Sequence, residues 1–368
     1  MKKTVILILF ICNLFATGAA NKMPKKKDVM SIMTKVADWQ CAQKQRHYVS
    51  DWVNGALYAG MMEYAKMAPG DKYINWLKER GNKAKWSLVK RRKYEFYHAD
   101  DIAVGMMYCE MYRREKDEKM IDDLKNRLDL IISEPSNVSL DFSRHRLESP
   151  AQRWTWCDAL FMAPTSFAKM YQITGDVKYL HFMSKEYRAT TDYLYDHKEH
   201  LYYRDSNYFG NKEPNGKPVF WGRGNGWVFG GLPIILKELP TRYNEKMWYE
   251  KLFVDMAERI AGLQDKDGYW HASMLDHEAF PHPETSCTGF FVYGLAWGIN
   301  NGYLDREKYL PVVFKGWKAL TDAVYPDGKL GWVQPIGESP VSTTKDMTEL
   351  YGVGAFLIAG TEVYKLSE

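Results

Sequence analysis

The residues best suited to chemistry lie in the run Arg153-Trp154-Thr155-Trp156-Cys157-Asp158-Ala159-Leu160-Phe161-Met162-Ala163-Pro164, where one aspartate follows an arginine and two tryptophans and precedes an apolar stretch. Indole rings beside a carboxyl offer a flat apolar face to a sugar ring. They also exclude water and raise the carboxyl pKa, so that the group holds a proton near neutral pH. Asp158 is therefore the leading candidate for a general acid, and Trp156 for a sugar platform. The structural alternative is an aspartate that merely caps a buried helix, with indoles that are core. A second constellation is Trp221-Gly222-Arg223-Gly224-Asn225-Gly226-Trp227. Its glycines let backbone approach a ligand closely, Arg223 offers a planar donor fork to a carboxylate, and Trp221 and Trp227 can stack on sugars. No Gly-Lys-Ser/Thr follows, so this is not a phosphate loop. The alternative here is a tight loop whose arginine pairs with a structural acid.

Two further groups fall just before helix-like apolar runs. Asp100 and Asp101 precede Ile102-Ala103-Val104-Gly105, with His98 two residues upstream of Asp100. Asp101 is suited to orienting water or binding sugar hydroxyls, or to capping a helix. Asp100 competes for the same role, and His98 reads as a hydrogen-bonding support. Arg204 and Asp205 either line the same cleft or form a loop ion pair. His271, His277 and His282 share one loop at a spacing that fits no metal site, so no metal is expected.

These residues must be brought together by the elements that follow them. A Gly/Ala-rich apolar helix, a short polar turn and a second helix recur six times, with first helices starting near Trp52, Asp101, Asp158, Gly226, Thr288 and Leu350. The spacing of about 45 to 65 residues falls in the range of repeat architectures. Several turns share one chemistry, as in Ala68-Pro69-Gly70-Asp71-Lys72-Tyr73, Thr174-Gly175-Asp176-Val177-Lys178-Tyr179 and Asn301-Gly302-Tyr303-Leu304-Asp305: glycine ends one helix and aspartate caps the next. The first helices, such as Ala159 to Ala168 and Phe290 to Ile299, are apolar nearly all round and must be buried on every side. Their partners, such as Lys119 to Ile131 and Lys246 to Ile260, are charged and amphipathic. The pattern predicts an all-α fold in which six hairpins close as an (α/α)6 barrel. The N-termini of the inner helices then gather at one end, electropositive and suited to an acidic ligand. The long loops Glu134 to Trp156, Leu201 to Asn225, Gly268 to Cys287 and Gly328 to Thr348 all lead to that end.

Composition narrows the function. Aromatic residues make up 15% of the chain, with 13 Trp and 25 Tyr, a surplus that suits a carbohydrate cleft. The net charge of +4 is too near neutral to argue for nucleic acid. Lys2 and Lys3, the apolar run Val5 to Phe15 and the small residues Ala16 to Ala20 read as a secretory leader over residues 1–20, followed by one catalytic domain over 21–368. Export to the periplasm or cell surface follows. Phe10-Ile11 before Cys12 is a poor lipoprotein match, and no membrane span is expected. The cysteines after the leader, Cys41, Cys109, Cys157 and Cys287, are scattered and imply neither a disulfide framework nor a metal site.

Together, His98-Ala99-Asp100-Asp101, Trp156 to Pro164, Trp221 to Trp227, Glu284-Thr285-Ser286-Cys287-Thr288 with Tyr293 to Ile299, and Tyr351-Gly352-Val353-Gly354-Ala355-Phe356 resemble glycoside hydrolase family 105, the unsaturated rhamnogalacturonyl hydrolases, and more distantly family 88, the unsaturated glucuronyl hydrolases. The resemblance spans roughly residues 30 to 365. It implies an (α/α)6 barrel, no metal or organic cofactor, and an acidic oligosaccharide substrate ending in a 4,5-unsaturated uronic acid. It also implies a reaction in which an aspartate protonates C4, water adds at C5, and the hemiketal collapses to break the glycosidic bond. By this resemblance Asp158 matches the acid/base, and Asp101, less closely Asp100, the second aspartate. Trp156, Trp221, Arg223 and Trp227 match substrate-contacting positions. Arg204 stands where some members carry a substrate-binding histidine, so galacturonyl and glucuronyl substrates both stay open. Two rivals are an inverting glycosidase that uses Asp158 and Asp101 as a pair on saturated sugars, and a secreted glycan-binding protein without turnover. Loss of the unsaturated chromophore excludes the first, and dependence on Asp158 the second.

Overall fold

A computed structural model describes residues 23–90, 96–142 and 153–368; the leader-like residues 1–20 and the Cys12 question lie outside the described residues. In chain order the helices are α1 (Lys26–Ala42), α2 (Val53–Ala65), α3 (Lys72–Lys83), α4 (Gly105–Glu115), α5 (Asp122–Ser133), the short α6 (Ala159–Met162), α7 (Pro164–Thr174), α8 (Lys178–Leu194), α9 (Gly222–Glu238), α10 (Lys246–Ala261), α11 (Thr285–Asn300), α12 (Arg306–Asp322) and α13 (Leu350–Leu366). One ring closes on itself: α2 packs on α4, α4 on α7, α7 on α9, α9 on α11, α11 on α13, and α13 back on α2. The outer layer follows the ring, with α3 against α2, α8 against α7 and α5, α10 against α9, α12 against α11, and α1 against α13. This is the (α/α)6 barrel expected from the repeats. Among the described residues no helix is long and apolar enough to cross a membrane.

Burial follows the sequence pattern. Every residue of α11 from Thr285 to Ile299 is buried, whereas α5 buries Leu124, Leu128 and Ile131, one stripe at helical spacing. Small residues let inner helices touch. A Cβ on Gly60 would fall 2.1 Å from the Gly354 carbonyl oxygen, and one on Gly354 would fall 2.1 Å from that of Ala56, so α2 and α13 meet backbone to backbone. Gly175 ends α7 at φ 72°, as the turn chemistry required. Asp305 caps α12 by accepting from Lys308 N at 2.7 Å, but Asp71 makes no capping bond and pairs instead with Arg114.

Two inner helices start differently from expectation. The run Ala159 to Ala168 is broken at Pro164, which has no N–H to give to the preceding turn and begins α7 at its first position. The second repeat opens with a 3-10 turn, Ala99–Ile102, before α4. Between α8 and α9 a short antiparallel pair, β1 (Tyr195–Asp196) and β2 (Leu201–Tyr202), pairs Tyr195 with Tyr202. Isolated bridges Trp221–Ser273 and His271–Pro283 fasten the mouth loops to each other.

At the opposite end the barrel is tied by charge. Lys169 Nζ donates to Glu110 Oε1 at 2.6 Å and to Glu238 Oε1 at 2.9 Å. Arg113 forks onto both oxygens of Glu238 at 3.0 and 2.8 Å, and Lys66 reaches Glu110 at 2.9 Å. Burial raises the Glu110 and Glu238 carboxyls. The charges of Lys169 and Lys66 on Glu110, and the hydrogen bond from Arg113 with the charge of Lys169 on Glu238, overcome that and hold both below the usual carboxylate range. A depressed folded pKa contributes stability that is present above the unfolded value of about 4.3 and is lost as pH falls through the folded one. Removing one member of a buried network strands the others. Lys169→Met is therefore expected to cost about 3 kcal/mol at neutral pH and to weaken the acid-side loss of stability. Urea unfolding at neutral and acid pH checks both; an unchanged midpoint would mean the cluster contributes nothing.

Candidate active site

A cavity of about 470 Å³ opens where the inner helices begin, walled by Trp52, Asp100, Trp156, Asp158, Met162 and Arg204 and roofed by Ile336, Gly337 and Glu338. A second cavity of about 30 Å³ lies at the charged end around Lys169, too small for a sugar. The large cavity gathers residues from the approaches to α2, α4, α6, α9 and α13. The fifth repeat contributes no wall: Glu284 caps α11 through Ser286 N and Cys287 N, and His282 stacks on Trp332.

Asp158 sits at the start of α6 and makes no side-chain capping bond there. Its side chain keeps 13% exposure, and its Oδ2 lies 3.8 Å from Arg204 Nε. The Cys157 thiol donates to the same oxygen at 3.5 Å. Burial raises the Asp158 pKa and is the largest influence; the Arg204 and Arg223 charges and the thiol oppose it without cancelling it. Cys157 N donates to Arg204 O at 2.8 Å, and this main-chain bond carries Arg204 to the acid.

His98 organises the wall formed by Asp100 and Trp156. Its Nδ1 accepts from Asp100 N at 3.2 Å, and its ring packs on Trp156 with centroids 5.3 Å apart. It is thus the support that its position suggested. The cap turns Asp100, not Asp101, to the cavity. Asp100 keeps 21% side-chain exposure and lines the wall, whereas Asp101 is 2% exposed and does not. Asp101, the preferred choice from the sequence, is thus turned inward: in a 3-10 turn, adjacent residues point about 120° apart, and it is Asp100 that faces the opening.

The Trp221–Trp227 motif also serves differently from expectation. Arg223 is 1% exposed, and its fork is taken by main-chain carbonyls, Nη1 to Gln334 O at 2.6 Å and Nη2 to Pro335 O at 2.8 Å. The guanidinium lies between the Trp221 and Tyr351 rings, at 4.5 and 4.7 Å. Trp221 Nε1 donates to Gln334 Oε1 at 3.0 Å, the Tyr351 hydroxyl to Gln334 O at 2.6 Å, and Gln334 Nε2 to Ser339 O at 2.7 Å. Glu284 accepts from Gln334 N at 3.0 Å. Trp221 and Arg223 therefore clamp the roof loop rather than line the cavity, although the Arg223 charge still reaches Asp158. Trp227 is fully buried behind Trp52, against Phe161, Phe290 and Tyr351. These corrections share one cause: an arginine or indole beside glycines can be shielded by a loop remote in sequence.

Arg204 does both things considered for it. It lines the cavity, and its Nη1 donates to Asp205 Oδ2 at 2.5 Å. Its guanidinium lies over the Phe142 ring at 5.0 Å. Trp52, Met162 and the roof residues were not singled out as site residues. Trp52 had a signal, since it precedes the first inner helix as Trp156 precedes the third. Among the described residues no group of three or more His, Cys, Asp or Glu side chains is arranged to hold a metal ion.

The family model for Glycosyl Hydrolase Family 88 matches residues 24–367. An unsaturated 3S-rhamnoglycuronyl hydrolase of Formosa agariphila is 38% identical over 382 aligned residues, covering 100% of both chains. Another of that name from Alteromonas sp. is 39% identical over 352 residues, covering 90% of this chain and 84% of its own. Among solved structures, one described as a polysaccharide lyase matches with TM-score 0.84 at 35% identity, covering 93% of this chain and 98% of its own. A family 105 glycoside hydrolase of Clostridium acetobutylicum, at TM-score 0.73 and 21% identity over 92% of this chain and 99% of its own, shares the fold.

The balance at Asp158 is directly measurable. Its carboxyl is expected to titrate above the usual value of about 3.9, and Arg204→Met to move it higher still by removing the larger of the two opposing charges. Carbon-13 NMR titration of the aspartate side chains checks this. A normal or depressed value in the unmodified protein would show that burial does not dominate.

Proposed function

From the premise that the chain belongs to glycosyl hydrolase family 88, we propose that Asp158 protonates the double bond of a terminal 4,5-unsaturated uronic acid held in the mouth cavity. The protein is a glycoside hydrolase that releases unsaturated uronic acids from oligosaccharides. The observation that carries the assignment to this cavity is one mostly buried carboxyl, raised in pKa, facing an opening walled by two indoles and a guanidinium.

The chemistry follows from that wall. Trp52 and Trp156 offer apolar faces to the sugar. Arg204 is the cation among the described residues lining the cavity and receives the uronate carboxylate. Asp158 gives its proton to C4, and the positive charge forms at C5 and the ring oxygen. Water adds at C5, and the Asp158 carboxylate takes up the proton that water releases. The resulting hemiketal opens, C1 is left as a hemiacetal, and that collapses to an aldehyde as the aglycone leaves with a hydroxyl. Asp100 orients the water or holds sugar hydroxyls across the cavity. The names of the two curated relatives support a rhamnose-linked uronyl substrate, and the leader-like residues 1–20 support action in the periplasm or at the cell surface.

The test is to offer lyase-digested pectin, glycosaminoglycan and ulvan fragments in parallel and follow the ultraviolet absorbance of the unsaturated uronate. A hydrolase of this kind consumes the chromophore, whereas lyase activity on intact polymer creates it, so the sign of the change separates the two. Asp158→Asn is expected to lower kcat by about 10²–10⁴-fold with the fold intact, and Asp100→Asn by about 10²-fold. Because the reaction needs protonated Asp158, the rate falls as pH rises through that raised pKa. Near-normal turnover in Asp158→Asn would overturn the assignment.

A further inference from the structure

We propose that Glu338 is the resident counter-ion of Arg204, exchanged for the substrate's carboxylate, and that it thereby sets how strongly the cavity selects an acidic sugar over its uncharged counterpart. The inference rests on the reading of Arg204 as the carboxylate receptor.

Among the described residues three carboxyls lie near that guanidinium, and they are held very differently. Asp205 is 1% exposed, takes the Nη1 hydrogen bond, and is itself fixed by accepting from Asn207 N at 2.8 Å. Asp158 is mostly buried and is the acid. Glu338 approaches Nη1 only to 3.6 Å and its side chain is 63% exposed. An ion pair with one solvated member is weak, so Glu338 leaves at little cost. Its main chain is another matter: Arg223, Trp221, Tyr351 and Glu284 fix the loop at Gln334, and Gln334 ties it again at Ser339. The side chain therefore moves while the roof stays.

Arg204 is ready for the exchange. Its Nε is buried and makes no hydrogen bond, while Nη1 is shared between Asp205 and the distant Glu338. An incoming carboxylate takes the place that Glu338 leaves at Nη1. Anion replaces anion, so the charge around Arg204 is conserved. A neutral sugar brings no replacement, and Glu338 stays at the opening.

Calorimetry with glucuronate and its methyl ester tests this in the intact protein and in Glu338→Gln, independently of turnover. Glu338→Gln is expected to tighten glucuronate about three- to fivefold while leaving the ester within experimental error, so the acid-to-ester preference widens; Arg204→Met should abolish the preference in both backgrounds. An unchanged or narrowed preference in Glu338→Gln, repeated in Glu338→Ala, overturns the counter-ion role even if chromophore loss supports the hydrolase. Equal binding of acid and ester by the intact protein also overturns it. Failure of chromophore loss, with the preference shifted as expected, would instead count against the hydrolase reading alone.

Discussion

The site turns on a contest over one carboxyl. Burial pushes Asp158 toward its neutral form, while Arg204 Nε at 3.8 Å and the more remote Arg223 pull it toward the charged one. Burial prevails, so the carboxyl is raised in pKa while the guanidinium stands charged beside it. The main-chain bond from Cys157 N to Arg204 O sets the spacing between these two demands. The indole of Trp156, braced by His98, keeps one side of the carboxyl's surroundings apolar. Much of the mouth thus holds a buried carboxyl and a guanidinium side by side.

The roof illustrates how a barrel with loops from different repeats makes one enclosure. Arg223 and Trp221 come from the fourth repeat, Glu284 from the fifth and Gln334 from the sixth, and they meet in one buried knot. The knot spends its polar groups on main-chain atoms, which fixes the loop's position. Site rigidity here comes from polar contacts across repeats, with the hydrophobic ring supplying the frame on which those loops stand.

How much of this could be read in advance depended on whether the signal was local. The six apolar helices, their charged partners, the glycine turn at Gly175 and the pairing of Trp156 with Asp158 are all encoded within a few residues. The choice between Asp100 and Asp101 was not, because it depends on the phase of a single 3-10 turn fixed by the His98 ring. The role of Arg223 was illegible for a different reason: its partners lie more than a hundred residues away, 111 for Gln334. Glu338 carries no local motif at all, and only loop placement reveals it. The break at Pro164 was visible in the sequence as a proline but was outweighed by the continuous apolar run around it.

The backbone contact between Gly60 and Gly354 joins the first inner helix to the last. Such a seam cannot form until α13 has left the ribosome, long after α2. Until then α2 and α11 each expose a flank that is apolar and destined for burial. Growing chains of this protein therefore pass through an open, sticky crescent. Shielding during synthesis should matter more for this protein than for one whose core is completed by neighbours in sequence.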